Sequence, residues 1–163
     1  MEQPRGLAIA PLTREGFAPW GEVIEPGAAT QDYAVNQGTA VRFDALARVE
    51  ALAGGRVVIS IFRAQPRVLP FEVSMLERHP LGSQAFVPLH PGLRYIVVVA
   101  DDPDGTPRAF LATGGQGVNY HRGTWHHPLI ALDAGGDFLV VDRAGEGSNC
   151  DQAQLAQPFR LTL

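Results

Sequence analysis

The chain has 163 residues, a formal net charge of −4 and a hydrophobic content of 45%. This length fits a single domain, and a mildly acidic chain lacks the basic surface that nucleic-acid binding requires. All 13 residues of the Lys and Arg class are arginine. Schiff-base catalysis and a phosphate-loop lysine are therefore excluded.

The sequence also bears on where the protein works. No apolar run approaches the roughly 20 residues of a membrane span, so we expect no membrane partner. The first five residues are polar, so we expect no secretory leader. The single cysteine, Cys150, excludes an intrachain disulfide and fits a reducing compartment. We expect a cytoplasmic protein.

The amino-terminal part predicts a short helix followed by extended structure. Thr13 is placed to cap a helix that starts at Arg14, and Pro19 and Gly21 should end it early. Extended structure begins again at residues 23–24. The apolar positions between residues 43 and 52 fit a helical turn or a loop, and the pattern leaves both open.

From Arg56 onward the sequence indicates short strands separated by Gly and Pro turns. Apolar or alternating runs cover residues 57–62, 71–77, 85–89, 94–100, 108–112, 129–132 and 138–141. Such runs are typical of an antiparallel sandwich or barrel. We predict one mainly β domain over residues 1–163, with short peripheral helices.

Two polar clusters interrupt these strands. Glu77 and His79 are two residues apart, so on a strand they face the same side, and Gln84 follows after a Pro-Gly turn. Burying both groups is costly unless they contact a metal, a ligand or each other. The second cluster lies at residues 114–128 and holds three of the five histidines, His121, His126 and His127.

The spacing in both clusters resembles the two metal motifs of the cupin superfamily. In the first motif, Glu77 stands where a histidine is usual, His79 matches the second histidine, and Gln84 replaces the carboxylate. In the second motif, Gly115 and Gly123 match the glycines and His126 matches the metal ligand. This resemblance implies a cupin-like antiparallel β-barrel.

A closer resemblance is to the ureidoglycolate lyase family, formerly described as ureidoglycolate hydrolase. The matching strings run in order along the chain: RAQP at 63–66, LERHPLG at 76–82, QAF at 84–86, QGVNYHR at 116–122, WHHPL at 125–129, DR at 142–143 and NCD at 149–151. The resemblance implies a homodimer that cleaves (S)-ureidoglycolate to glyoxylate and urea in the allantoin branch of purine catabolism. It also implies a divalent metal ion, with nickel suggested.

The candidate residues have distinct expected roles. His79, His126 and Glu77 are the proton-transfer candidates. The same three residues and Gln84 are the candidate metal ligands. Arg63, Arg78, Arg122 and Gln84 are the candidates for binding the substrate, and the sequence does not rank the arginines. Glu77 is also placed to pair with Arg63 or Arg78.

The remaining side chains have plainer interpretations. His127 should face away from His126, and His90 should be a solvated turn residue. Tyr120 and Trp125 fit the barrel wall better than chemistry. Two other functions stay open: a non-catalytic cupin that binds a small carboxylic acid, and another metal-dependent cupin enzyme such as an isomerase or oxygenase.

Overall fold

The computed structural model describes residues 3–27 and 31–163. Strands dominate this part of the chain: β1 Arg5–Leu7, β2 Ile9–Pro11, β3 Gly21–Ile24, β4 Asp32–Val35, β5 Ala40–Phe43, β6 Arg56–Ala64, β7 Phe71–Arg78, β8 Gln84–Pro88, β9 Tyr95–Ala100, β10 Arg108–Ala112, β11 Gly117–Tyr120, β12 Trp125–His126, β13 Ile130–Ala131, β14 Gly136–Ala144 and β15 Asp151–Leu161. One α-helix, α1 Arg14–Phe17, and a 3-10 turn at Asn36–Gly38 accompany them. Neither helical segment is long and apolar enough to span a membrane.

The strands form a nearly closed barrel. An eight-stranded sheet has the order β1-β15-β7-β12-β9-β10-β2, with β13 also paired to β9. A five-stranded sheet has the order β3-β11-β8-β14-β6, and β4 and β5 form a separate hairpin. Most pairs are antiparallel, whereas β1 with β15 and β10 with β2 are parallel. The predicted mainly β, cupin-like barrel is confirmed.

Strand β9 is buried on both faces, which explains its continuous apolar run. Tyr95, Val97 and Val99 belong to the inner core cluster between the two sheets. Ile96, Val98 and Ala100 belong to a second cluster on the other face of the larger sheet. Because side chains alternate along a strand, a strand buried on both faces must be apolar at every position.

The predicted strands are found with altered bounds: β14 at Gly136–Ala144 is longer than predicted, whereas β13 at Ile130–Ala131 is shorter. Other strands were not predicted. Helix α1 begins as expected, with the Thr13 hydroxyl accepting a hydrogen bond from the Gly16 amide at 3.1 Å. The ambiguous segment after residue 43 contains no helix; it is irregular apart from a bridge between Ala51 and Gly82. No sequence pattern predicted β15, the longest strand described.

Candidate active site

The candidate site lies where β7 ends beside β12. Glu77 is the penultimate residue of β7, and His79 follows the strand's last residue. Strand β12 is only two residues long, and its register places His126 directly opposite Glu77. Directly opposed residues on paired strands have neighbouring side chains. The two polar clusters predicted from the sequence therefore meet in one place.

The three side chains converge closely. One ligand atom from each of Glu77, His79 and His126 lies within 4.8 Å of the others. The Oε1 atom of Glu77 is 3.5 Å from Nε2 of His126 and 3.8 Å from Nε2 of His79. The His126 side chain is 2% exposed, and the Glu77 and His79 side chains are each 17% exposed.

Backbone carbonyls determine which imidazole nitrogen faces the site. The Nδ1 atom of His79 lies 2.8 Å from the Asn149 carbonyl oxygen, and Nδ1 of His126 lies 2.9 Å from that of Thr124. A carbonyl only accepts, so each Nδ1 carries a proton and donates it. Both Nε2 atoms are then free, buried and without a hydrogen-bond partner in the described chain. This is the usual arrangement of metal-binding histidines.

The electrostatics of the site favour a positive charge between these atoms. Interaction with His126 lowers the pKa of the Glu77 carboxyl, and this effect outweighs burial, which acts in the opposite direction. Glu77 is therefore ionised at neutral pH. A proton on Nε2 or a divalent cation would each complete the cluster, since three acceptor atoms face one another.

Cys150 also contacts the site. Its thiol lies 3.8 Å from Oε2 of Glu77, the carboxylate oxygen that does not face the histidines. Burial raises the pKa of the Cys150 thiol, and the nearby charge of Glu77 raises it further. A raised pKa keeps the thiol protonated, so Cys150 is a hydrogen-bond donor to Glu77 and a poor nucleophile.

Tyr120 adjoins the cluster from the five-stranded sheet, and Gln84 lies opposite Tyr120 on the neighbouring strand. The Tyr120 ring stacks on the His126 imidazole, with centroids 4.1 Å apart and an interplanar angle of 13°. Gln84 is the register partner of Tyr120, and its Nε2 donates to Oδ2 of Asp142 at 3.1 Å. The stacking of Tyr120 on His126 was not predicted, because a tyrosine on a strand is equally typical of a barrel wall.

The three candidate arginines lie in different surroundings. Arg63 forms a two-pronged ion pair with Asp137 at 2.9 and 3.0 Å. Asp137 lies near the start of β14, whereas Asp142 lies near the end of that strand. Arg78 alternates with Glu77 along β7, pairs with Asp151 at 2.9 Å and stacks over Trp125.

Arg122 reaches the site from another direction, through the backbone of His79 and Pro80. It lies in the turn after β11 and approaches the Pro80 carbonyl at 3.4 Å, while the next residue, Gly123, donates its amide to the His79 carbonyl. Its ion pair with Glu50 is also long, at 3.4 Å.

The other histidines occupy separate positions. His127 is buried and packs edge-to-face on Phe71 with centroids 5.3 Å apart, on the side away from His126 as expected. His121 is 3.2 Å from a Glu22 carboxylate oxygen. His90 is exposed, and its Nδ1 accepts from the Gly92 amide within its own turn.

Comparison with known proteins identifies a family. The family model described as ureidoglycolate lyase matches residues 4–162. A protein named ureidoglycolate lyase from Burkholderia mallei (strain NCTC 10229) is 56% identical over 96% of this chain and 93% of its own length. One of the same name from Pseudomonas fluorescens (strain Pf0-1) is 50% identical over 98% of this chain and 97% of its own.

Structural similarity adds little to this. A 3,4-ketoisomerase from Helicobacter canadensis is 12% identical, with a TM-score of 0.41 over 78% of this chain and 86% of that chain. A likeness this distant carries no argument about the site.

Proposed function

The chain belongs to the ureidoglycolate lyase family, and we propose that it cleaves (S)-ureidoglycolate to glyoxylate and urea in allantoin degradation. The observation that supports this most is the convergence of one ionised carboxylate and two imidazoles whose Nε2 atoms are buried and unpartnered. Such groups serve proton transfer and cation binding.

The reaction needs one proton moved and one bond broken. The carbinol hydroxyl loses its proton, its oxygen forms a carbonyl with the central carbon, and the carbon–nitrogen bond breaks. The electron pair of that bond leaves with the urea nitrogen, which takes up a proton. No water is consumed, and no covalent bond to the protein is required.

Glu77, His79 and His126 are the groups we assign to the proton. Each offers an acceptor atom to the hydroxyl, since the histidines present Nε2 lone pairs and Glu77 is ionised. A group that accepts this proton can return it to the departing nitrogen. General acid–base catalysis of this kind contributes about 10²–10⁴-fold.

A divalent metal ion fits the same residues. The two free Nε2 atoms and the Glu77 carboxylate form a nitrogen–oxygen donor set that suits nickel and related ions, with Gln84 a candidate fourth ligand. A bound ion would supply Lewis-acid chemistry by lowering the pKa of a coordinated hydroxyl. The carbonyls of Asn149 and Thr124 keep both imidazoles in the ligand tautomer with or without it.

Arg122 is our choice for the substrate carboxylate. Its turn contacts the backbone of His79 and Pro80, and its ion pair with Glu50 is long. Arg63 and Arg78 already hold carboxylates at 2.9 Å. A planar guanidinium can bind a carboxylate through two parallel hydrogen bonds.

Product analysis with (S)-ureidoglycolate tests the reaction. We expect glyoxylate and urea in equal amounts, His79→Ala and His126→Ala mainly lowering kcat, and Arg122→Ala mainly raising KM. His90→Ala is the matched control, since His90 is exposed in a turn. Ammonia and carbon dioxide in place of urea would indicate a hydrolase. Binding without turnover would favour a non-catalytic cupin. Turnover of another substrate, or oxygen consumption, would favour a different cupin enzyme.

We further propose a cytoplasmic homodimer assembled through β6. Strand β6 ends the five-stranded sheet in the described chain, and it exposes Val57, Ile59 and Ile61 on one face. A long, apolar, unpaired edge strand is a template for pairing with a second copy. Light scattering should give the mass of a dimer for the wild-type protein. The Ile59→Arg variant should have the mass of a monomer, whereas Val68→Arg, at an exposed residue outside β6, should stay dimeric. A monomeric wild-type protein would contradict the proposal.

A further inference from the structure

Gln84 presents a buried acceptor of defined orientation. It is 8% exposed, and its Oε1 has no hydrogen-bond partner in the described chain. Its Nε2 donates to Oδ2 of Asp142 at 3.1 Å. An ionised carboxylate only accepts hydrogen bonds, so the NH₂ end of the amide must face Asp142 and the oxygen must face the other way.

The position of this amide links it to the candidate site. Gln84 and Tyr120 are register partners, so their side chains share one face of the sheet. The Tyr120 ring stacks on the His126 imidazole at 4.1 Å. The next residues on that face, Phe86 and Val118, lie in the inner core cluster. The Gln84 amide therefore lies on the barrel's inner face, one stacked ring away from His126.

Leaving such an oxygen unpartnered has a cost. A buried acceptor without a partner destabilises a protein, because it has given up its hydrogen bond to water and gained none in return. The unpartnered buried atoms on this face include the Gln84 oxygen and the Nε2 atom of His126, with Nε2 of His79 beside it. All three accept, so a ligand that satisfies them must bring hydrogen-bond donors or a cation.

We propose that Oε1 of Gln84 accepts an N–H of the substrate's ureido group, and that Asp142 is the positioning residue that holds the amide in this orientation. The proposal rests on the proposed function, whose substrate carries a ureido group rich in N–H donors. A carboxylate or ester in the same place would set two acceptors against each other. The pair thus selects ureido acids over plain hydroxy acids, because unpaired polar groups give strong discrimination.

Two stable ligands separate this role from the chemistry. N-carbamoylglycine has the carboxylate and ureido groups without the hydroxyl, and glycolate has the carboxylate and hydroxyl without the ureido group. Calorimetric titration of the intact protein measures both affinities without turnover. We expect the wild-type protein to bind N-carbamoylglycine more tightly than glycolate; equal affinities would overturn the proposal.

Asp142→Asn is the decisive variant. Asparagine offers a donor as well as an acceptor, so the Gln84 amide is free to turn its NH₂ toward the ligand. We expect affinity for N-carbamoylglycine to fall about tenfold or more while affinity for glycolate stays the same. Gln84→Met, which removes the acceptor at similar size, should give the same loss, and the two changes together should not add. Asp137→Asn, on the same strand about 17 Å away, is the matched control.

The outcomes distinguish this inference from the reaction. Equal weakening of both ligands by Asp142→Asn would mean that the pair is structural. A similar loss of nickel affinity in Gln84→Met would make Gln84 a metal ligand instead. If Asp142→Asn does not fold, Gln84→Met decides the proposal alone. Selective binding of N-carbamoylglycine by a protein that fails the product assay would uphold the ureido site and overturn only the lyase function.

Discussion

Replacing Tyr120 by leucine should lower the activity of the site although Glu77, His79 and His126 are unchanged. Tyr120 is 5% exposed and stacks on His126, and it also contacts Phe17 and Phe86 edge-to-face, each with centroids 6.1 Å apart. Leucine is apolar but has no flat ring. The His126 imidazole would lose the ring that supports its face and keep only its edge contacts, to the Thr124 carbonyl at Nδ1 and to the Glu77 carboxylate 3.5 Å from Nε2, and the tilted contact with the His79 ring.

The contacts determine the size of the effect. Aromatic pairs contribute about 0.5–1.5 kcal/mol each beyond the apolar area that they bury. Three such pairs are lost, and the smaller side chain leaves some unfilled volume. We expect Tyr120→Leu to lower the free energy of unfolding by about 2–4 kcal/mol. That is a large fraction of the stability of a typical domain.

Tyr120→Phe is the matched control. It keeps the ring and removes only the hydroxyl. Burial raises the pKa of the Tyr120 phenol far above its ordinary value, and the charge of Glu77 adds to this effect. The phenol is therefore neutral at working pH, and Tyr120→Phe removes no charge.

Urea unfolding and steady-state kinetics on both variants check this reasoning. We expect Tyr120→Phe to stay within about 1.5 kcal/mol of the wild-type stability, consistent with the loss of one hydroxyl interaction, and to retain kcat. Tyr120→Leu should lose both stability and kcat, and its nickel affinity should fall. A Tyr120→Leu protein that unfolds earlier yet keeps full kcat and nickel affinity would refute an orienting role for the stack.

Three further predictions concern stability and metal binding. Burial lowers the pKa of His127, so the native state binds fewer protons than the unfolded state, and the free energy of unfolding should fall as the pH drops below about 6.5. Urea titrations at several pH values should show that His127→Phe flattens this dependence. An unchanged slope would contradict the prediction. The buried Arg143 donates to the carbonyls of Leu52, Ala53 and Glu146, so Arg143→Leu should cost about 2–4 kcal/mol in urea unfolding, and a loss under about 0.5 kcal/mol would contradict this. Chelator treatment should lower turnover and melting temperature together, with nickel restoring both; full activity in metal-free protein would remove the ion from the reaction.

The sequence predicted those strands whose own residues favour extended structure. Strand β6, with Val, Ile and Phe over residues 57–62, needs no tertiary information to be recognised. Strand β15 does, because its Asp151–Leu161 segment is rich in Gln and Ala and contains Pro158. It is extended because it pairs with β7, and the register shifts between Gln154 and Phe159. Pairing between distant segments thus overrides weak local preference.

The proximity of Glu77 and His79 was predictable for the same local reason, but their chemical state was not. Glu77 lies on β7 and His79 one residue beyond its end, so the two-residue repeat of extended backbone places them on the same side. The free Nε2 atoms depend on carbonyls from Asn149 and Thr124, and any residue supplies a carbonyl, so no sequence pattern marks them. The three candidate arginines could not be ranked from the sequence either, because the ion-pair partners of Arg63, Arg78 and Arg122 lie 72 to 74 positions away along the chain.

Strand β12 is the element on which the assembly of the site depends most. It spans Trp125–His126, too short for any periodicity, yet it pairs with β7 on one side and β9 on the other. Those two pairings fix one register, and a shift by a single residue would present Trp125 where His126 now faces Glu77. Trp125 is anchored instead against the second core cluster and beneath Arg78, on the other face of the sheet. The tryptophan that the sequence assigned to the barrel wall therefore secures the register that brings His126 to Glu77.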